Sequence, residues 1–335
     1  MNSPTHVTHA REQQMRSEIT FEQRTEVVLE KGRVRMYGRF DFPDVLIRNL
    51  EARFGPLTDV KFLRGVAGTG AFRLEFGGEA AIVKSSSSPR ERVFYERHAS
   101  HLLANGVDIP DVYWSGQDAL NLNWIALEEI PHAFPRDEWV NNVHQLNTLR
   151  NLHSCSWGTR LSEAEDIWYR PKWDDEMTQR AHTWFNGAEQ QDKLHHMLAN
   201  AKDQAQILFA PHCCLSGDPN PTNWRVRDDG SLVLLDWERF CLGHPAIDLA
   251  ITMPTMRQDL SQETELATNY RRLWQDVYQD DVLPTEGELA FQIHLAKIWT
   301  VVEFLANAAH EPEQYPKETI AYIVRELPDI LRQLP

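Results

Sequence analysis

The sequence predicts an α+β protein, with a small antiparallel sheet near the N-terminus and a larger, mainly helical part that encloses one short hairpin. Three observations carry this expectation. Residues 59–84, DVKFLRGVAGTGAFRLEFGGEAAIVK, alternate apolar runs with glycine-bearing turns. Beyond Pro131 apolar residues recur at helical spacing, most clearly in ELAFQIHLAKIWTVVEFLANAA. Among those helices, NWRVR, the Asp229-Gly230 turn and SLVLLDW read as a hairpin.

In chain order, a polar lead precedes a helix near Pro43 to Phe54. Three strands follow, turning at Gly65 to Gly70 and at Gly77-Gly78, with the third ending on Lys84. PRERVFYERHASHLLANG has a proline in its first turn and Gly106 past its end, so it predicts a helix. VDIPDVYWSGQ and LNWIALEEI predict two more strands, VNNVHQLNTLRNLHS a helix, and ILFAPHCCL a strand-like run. The organisation expected is an extension with its helix over 1–56, a sheet domain over 57–130 and a helical domain over 131–335.

Composition bounds the function. The chain has 335 residues, 42% hydrophobic and 25% charged, enough for one large or two modest globular domains. The four cysteines form no C-x-x-C pair and the first residues lack the apolar core of a signal peptide, so a reducing cytoplasm is expected. Cys213-Cys214 fits plain burial. No uninterrupted apolar stretch approaches the roughly 20 residues of a membrane span, so no membrane partner is expected. Of the net charge of −15, residues 1–130 carry −2 and residues 131–335 carry −13. That sign disfavours nucleic acid as a partner. The acidic excess fits either solvated helices or a cleft for a cationic substrate, with Trp168, Trp173 and Trp184 as candidate stacking faces.

The chemistry concentrates in LSGDPNPTNW, residues 215–224, and VLLDWERF, residues 233–240. Pro219 and Pro221 restrict a loop that carries Asp218 and Asn223 toward the hairpin strand delivering Asp236. An oxygen-only set of Asp and Asn suits Mg²⁺, although the same residue types also build ordinary turns. His195-His196 have no second pair at ligand spacing and fit a solvated helix face.

Taken together, SGDPNPTN, LLDWE and GHPAIDLA, in this order behind a glycine-turned sheet with a lysine on its third strand, resemble the aminoglycoside phosphotransferase and choline kinase family. That family is related to the protein kinases, and the likeness covers roughly residues 57–310. It implies a two-lobed kinase-like fold. It also implies a phosphotransferase that moves the γ-phosphate of ATP, GTP being an open alternative, to a hydroxyl of a small molecule such as an aminoglycoside-like antibiotic, an amino alcohol or a sugar. A nucleotide-binding regulator without turnover is the alternative; a protein kinase is disfavoured because no A-P-E segment follows Asp236.

By the resemblance, Asp218 is the catalytic aspartate, and Asn223 and Asp236 hold Mg²⁺. Lys84 contacts the α and β phosphates and pairs with Glu91, or with Glu96 one turn on. The Gly65 to Gly70 turn, including Gly68 and Gly70, covers the phosphates, although GVAGTG is not a Walker loop and a plain hairpin turn stays open. Glu128 to Ile130, Glu129 and Ile130 above all, offer backbone groups to the adenine. Asp248 is structural and His153 is a packing residue. Ser216 stands where the family usually has a histidine that braces the loop, so its side chain is expected to contribute one hydrogen bond, about 1 kcal/mol.

Overall fold

The computed structural model describes residues 27–30, 33–36, 42–66, 69–159, 167–185, 188–254, 260–275, 277 and 282–334. The chain divides into two compact units. The first comprises Met1–Ser87 and Val112–Glu129, the second Ser88–Asp111 and Ile130–Pro335.

The first unit holds a hairpin of β1 (Val27–Glu30) and β2 (Arg33–Met36), then helix α1 (Asp44–Phe54) and strands β3 (Leu57–Val66), β4 (Thr69–Phe76), β5 (Glu79–Ser86), β6 (Val112–Gln117) and β7 (Asn123–Glu128). The last five form an antiparallel sheet in the order β3-β4-β5-β7-β6. Helix α1 turns Leu46, Ile47 and Leu50 into a core with Phe72, Leu74, Phe76, Val83 and Trp124. These sheet residues come from one face because side chains alternate along a strand. Two sequence boundaries move. The third strand does not end on Lys84 but runs on to Ser86, with Lys84 paired across to Ala71 and Ile125, because the ladder to β7 continues through Ser86 and Asn123. The β3–β4 ladder reaches Val66 and Thr69, so Gly65 and Gly70 are ladder partners, not turn residues.

The second unit opens with α2 (Arg90–Arg97) and α3 (Ala99–Ala104), a pair where the sequence predicted one helix. The break falls at His98, whose ring packs against Phe94, Trp168 and Phe240. Next come β8 (His132–Ala133), α4 (Val143–Cys155), α5 (Asp175–His182), α6 (Ala188–Ala205) and β9 (Cys213–Leu215). The strand-like run ILFAPHCCL is only partly strand: Gln206–Phe209 is a 3-10 turn, and only Cys213–Leu215 pairs, with Cys241–Gly243. Strands β10 (Trp224–Val226) and β11 (Leu232–Leu234) make the predicted hairpin, with Gly230 at φ 85° in its turn. Then follow β12 (Cys241–Gly243), α7 (Ala246–Thr252), α8 (Leu260–Gln275), α9 (Glu286–His310) and α10 (Lys317–Leu331).

Helix α9 is the axis of this unit, touching α5, α6, α7, α8 and α10. By length and composition it could cross a membrane, but 83% of its most apolar window is buried inside the protein. Its N-terminus is set by a capping box in which Thr285 and Glu288 satisfy each other's backbone N–H groups. At the other end of the unit, Phe94 of α2 lies flat on Trp237, with ring centroids 4.2 Å apart and an interplanar angle of 6°. Both rings are fully buried, so this stack ties α2 to the segment just after Asp236. Phe94→Ala is therefore expected to cost about 3–5 kcal/mol, the usual penalty for emptying an aromatic site in a core. Urea denaturation of the full chain checks it, and a loss below about 1 kcal/mol would mean that the stack holds nothing in place.

Candidate active site

Strand β9 ends at Leu215, and the chain then turns sharply. Gly217 has φ 78°, and a Cβ there would lie 2.2 Å from the backbone oxygen of Arg239, so only glycine fits. The turn is held by one carboxylate. Asp248, in the first turn of α7, accepts the backbone N–H of Ser216 at its Oδ2 and that of Gly217 at its Oδ1, both at 2.9 Å. His153 of α4 donates Nε2–H to the same Oδ2 at 3.1 Å, and its Nδ1 sits 2.8 Å from the Tyr270 hydroxyl of α8. Asp248 and His153 are fully buried. This matches the structural role expected of Asp248 and the packing role of His153.

Beyond the turn, Asp218 is half-buried. Asn223 donates its Nδ2 to the Asp218 backbone oxygen at 2.9 Å and to Oδ2 at 3.1 Å. The loop between them is closed by Trp224 Nε1, which donates to the Pro219 oxygen at 3.0 Å. Leu235 N donates to the Asn223 oxygen at 2.8 Å, which sets Asn223 across the hairpin from the residue preceding Asp236. Asp236 itself adopts a left-handed backbone, φ 61° and ψ 73°, a conformation that costs a non-glycine residue of order 1–2 kcal/mol. Burial pushes the Asp218 carboxyl up, and the Asp236 charge adds to the rise; Arg239 and the Asn223 amide oppose it.

The donor set fits a hard cation. With its amide nitrogen committed to Asp218, Asn223 keeps its side-chain oxygen as the ligand atom, and Asp236 adds a carboxylate. Two oxygens leave most of a coordination sphere to water and phosphate, which is how Mg²⁺ is usually held. Among the described residues no group of three His, Cys, Asp or Glu side chains forms a metal cage of its own.

All of the remaining predicted residues except Gly68 can be located. Lys84 is mid-strand in β5 of the first unit. Of the two glutamates on α2, Glu91 is buried, whereas Glu96 is exposed and salt-bridged to Arg92 at 2.8 Å. Glu91 and Asp236 both raise the pKa of Tyr95, which burial already pushes up, so the two carboxylates approach the same phenol. Gly68 lies outside the described residues. Gly70 owes its identity to packing, since a Cβ there would sit 2.9 Å from the Phe72 ring. The Glu129 carboxylate is bonded to Arg73 at 2.5 Å, and the Ile130 carbonyl accepts Arg225 Nε at 3.1 Å. Trp168 and Trp173 are core residues, so they present no stacking face, and Trp184 donates its indole N–H to Leu305.

Sequence reasoning missed a cavity of about 440 Å³ beside Asp218, formed wholly within the second unit. It is lined by Gly217, Asp218 and Arg239 on one side and by residues of α9 and α10 on the other, with Phe304, Tyr315 and Tyr322 as its aromatic faces. Arg239 donates to Glu303 Oε2 at 2.5 Å and stacks over the Tyr169 ring at 4.1 Å, while Tyr169 donates its hydroxyl to Glu303 Oε1. The available signal was the occurrence of Lys297 and Glu303 inside an otherwise apolar helix.

Residues 59–284 match the phosphotransferase enzyme family. The chain belongs to that family. Solved structures with the same kinase-like fold include a thermostable mutant of aminoglycoside phosphotransferase APH(4)-Ia in a ternary complex with ADP and hygromycin B. It is 15% identical, covers 86% of this chain and 98% of its own, and has a TM-score of 0.53. Spectinomycin phosphotransferase APH(9)-Ia, in complex with ADP and spectinomycin, is 13% identical over 86% of this chain and 97% of its own, with a TM-score of 0.53. At these identities the likeness is one of fold. No curated protein sequence matches the chain.

Two predictions follow from the loop. The Ser216 hydroxyl is buried and has no hydrogen-bond partner among the described residues, which corrects the expectation that it supplies a bond. Ser216→Ala should therefore be neutral or stabilising by up to about 1–2 kcal/mol, whereas Gly217→Ala should destabilise by at least about 1–2 kcal/mol. Parallel denaturation curves decide, and the reverse order would mean that the turn is held differently. The second concerns charge. Because the folded state raises the Asp218 pKa, the ionised carboxylate weakens the fold above that pKa, and the penalty disappears as pH falls through it. Asp218→Asn should thus melt higher than wild type near about pH 7.5, with the gap closing on acidification. A gap independent of pH would contradict the burial of this charge.

Proposed function

We propose that this protein is an ATP-dependent phosphotransferase acting on a hydroxyl of a small molecule. The observation that carries the reading is Asp218: a half-buried carboxylate at the wall of a 440 Å³ cavity, pinned by Asn223 and one hairpin away from Asp236. Family membership and the nucleotide and hydroxylated antibiotics named in the related complexes support the same chemistry. The four free cysteines are in keeping with a reducing, cytoplasmic setting.

In this reading the acceptor occupies the cavity with its hydroxyl against Asp218. The P–O bond to the β-phosphate breaks, a P–O bond to the acceptor oxygen forms, and the hydroxyl proton passes to Asp218, giving ADP and a phosphomonoester. The raised pKa makes Asp218 a better proton acceptor than an ordinary carboxylate, provided the pH stays above it. Asn223 fixes the Oδ2 atom and so the direction in which the free oxygen points. Asn223 and Asp236 would hold Mg²⁺, which neutralises phosphate charge when bound. Lys84 and Glu91 would serve the nucleotide.

The test is Asp218→Asn. General-base assistance is worth roughly 10²–10⁴ in rate, so kcat should fall by about that factor while the Kd for a non-hydrolysable ATP analogue moves less than about threefold. Single-turnover transfer and calorimetry read the two effects separately. Unchanged turnover in the variant would remove Asp218 from the chemistry. Nucleotide binding by the wild type without transfer to any acceptor in a broad screen would favour a regulator.

A further inference from the structure

The charges around the cavity bear on what it accepts, given the phosphotransferase reading on which this inference rests. Its described lining holds two carboxylates, Asp218 and Glu303. Asp218 faces the reacting hydroxyl. Glu303 is spent, with Oε1 taken by Tyr169 and Oε2 by Arg239. No carboxylate of that lining is left for an ammonium group, and Glu311, whose charge reaches Tyr315, is not part of it.

Lys297 is in the opposite condition, whereas Arg239 is paired with Glu303. Lys297 projects from α9, is only 7% exposed, and lines the cavity. Its ammonium donates to the Ala250 oxygen at 3.0 Å and to the Met253 oxygen, the carbonyls that close the C-terminal end of α7. An ammonium has three N–H donors, so one remains. Among the described residues no carboxylate lies within ion-pair distance of it. Glu263, the one acid whose charge acts on Lys297, is bonded to His294. Burial drives its pKa down to about 8, against the upward pull of the Glu263 charge. Capping α7 accounts for two of its donors but not for a cation at a ligand cavity with no carboxylate in contact among the described residues, because a buried charge is expensive unless it is paired.

We propose that the acceptor is a hydroxylated carboxylate, of the sugar-acid or hydroxy-acid class, with its anionic group on Lys297 and a hydroxyl presented to Asp218. A polyamine would meet Lys297 and Arg239 with no free acid to compensate. This goes against the cationic substrate that the acidic composition suggested. On this assignment the acidic excess forms no substrate site.

The experiment uses the full chain with saturating non-hydrolysable ATP analogue. Calorimetry compares hydroxycarboxylates (glycerate, gluconate, quinate) with the same skeletons as neutral alcohols, with a phosphorylated polyol, and with kanamycin; transfer from ATP is followed in parallel. At least one carboxylate should bind roughly 10- to 100-fold tighter than its neutral counterpart, the usual worth of a charged hydrogen bond. Lys297→Met should abolish that preference without changing nucleotide affinity. Should Lys297→Met not fold, Asn307→Asp, on the exposed rim, adds a like charge and should weaken the carboxylate several-fold. Preference for kanamycin, for the phosphorylated polyol or for the neutral alcohols would overturn the assignment, as would a carboxylate preference untouched by both variants. Lys297-dependent binding with no transfer would sustain the carboxylate site and overturn the phosphotransferase reading instead.

Discussion

The loop that carries Asp218 depends on a single buried carboxylate. Asp248 gathers two successive backbone N–H groups and an imidazole, so three elements, the loop after β9, α4 and α7, meet at one side chain. A carboxylate can be this deep only because its oxygens are satisfied from several directions. The bonds to Ser216 and Gly217 fix the loop backbone immediately before Asp218. The absence of the family's usual histidine at 216 then has a physical resolution. The bracing acts through backbone N–H groups, and the imidazole at the joint comes from His153.

A second constraint is steric. Gly217 packs against the backbone of Arg239, which holds the strand end carrying Asp218 directly against the segment that follows Asp236. That same segment presents Trp237 to Phe94 and Arg239 to Glu303. A few residues thus join the loop, a helix of the same unit and the cavity wall, and Asp236 holds a left-handed backbone conformation at the head of that segment. Strain of this kind persists where surrounding packing over-determines it.

Much of this was legible in the sequence. The Gly77-Gly78 turn, the Asp229-Gly230 hairpin and the apolar stripe of α9 each state their local geometry, because turn chemistry and periodicity act over a few residues. The loop motifs were readable for the same reason: Asp218, Asn223 and Asp236 lie within one hairpin of each other. What stayed hidden needed long-range packing. Nothing local in ILFAPHCCL says that Pro211 and the 3-10 turn before it would limit pairing to Cys213–Leu215. Nothing near Trp168 says that His98 and Phe240 would enclose it. The pairing of Arg239 with Glu303 joins residues 64 apart in sequence, and no spacing rule announces such a pair.

The stretch that matches the family ends at residue 284, whereas most of the cavity wall comes from α9 and α10, which begin at Glu286 and Lys317. On the proposed function, the reacting groups and the groups that choose the acceptor are thus written in different parts of the gene. Residues Lys297 to Ile323 could be exchanged among relatives as a cassette, turning one phosphoryl-transfer apparatus toward new alcohols while Asp218 and its scaffold stay untouched. Relatives can share the chemistry of this chain and still differ entirely in what they modify.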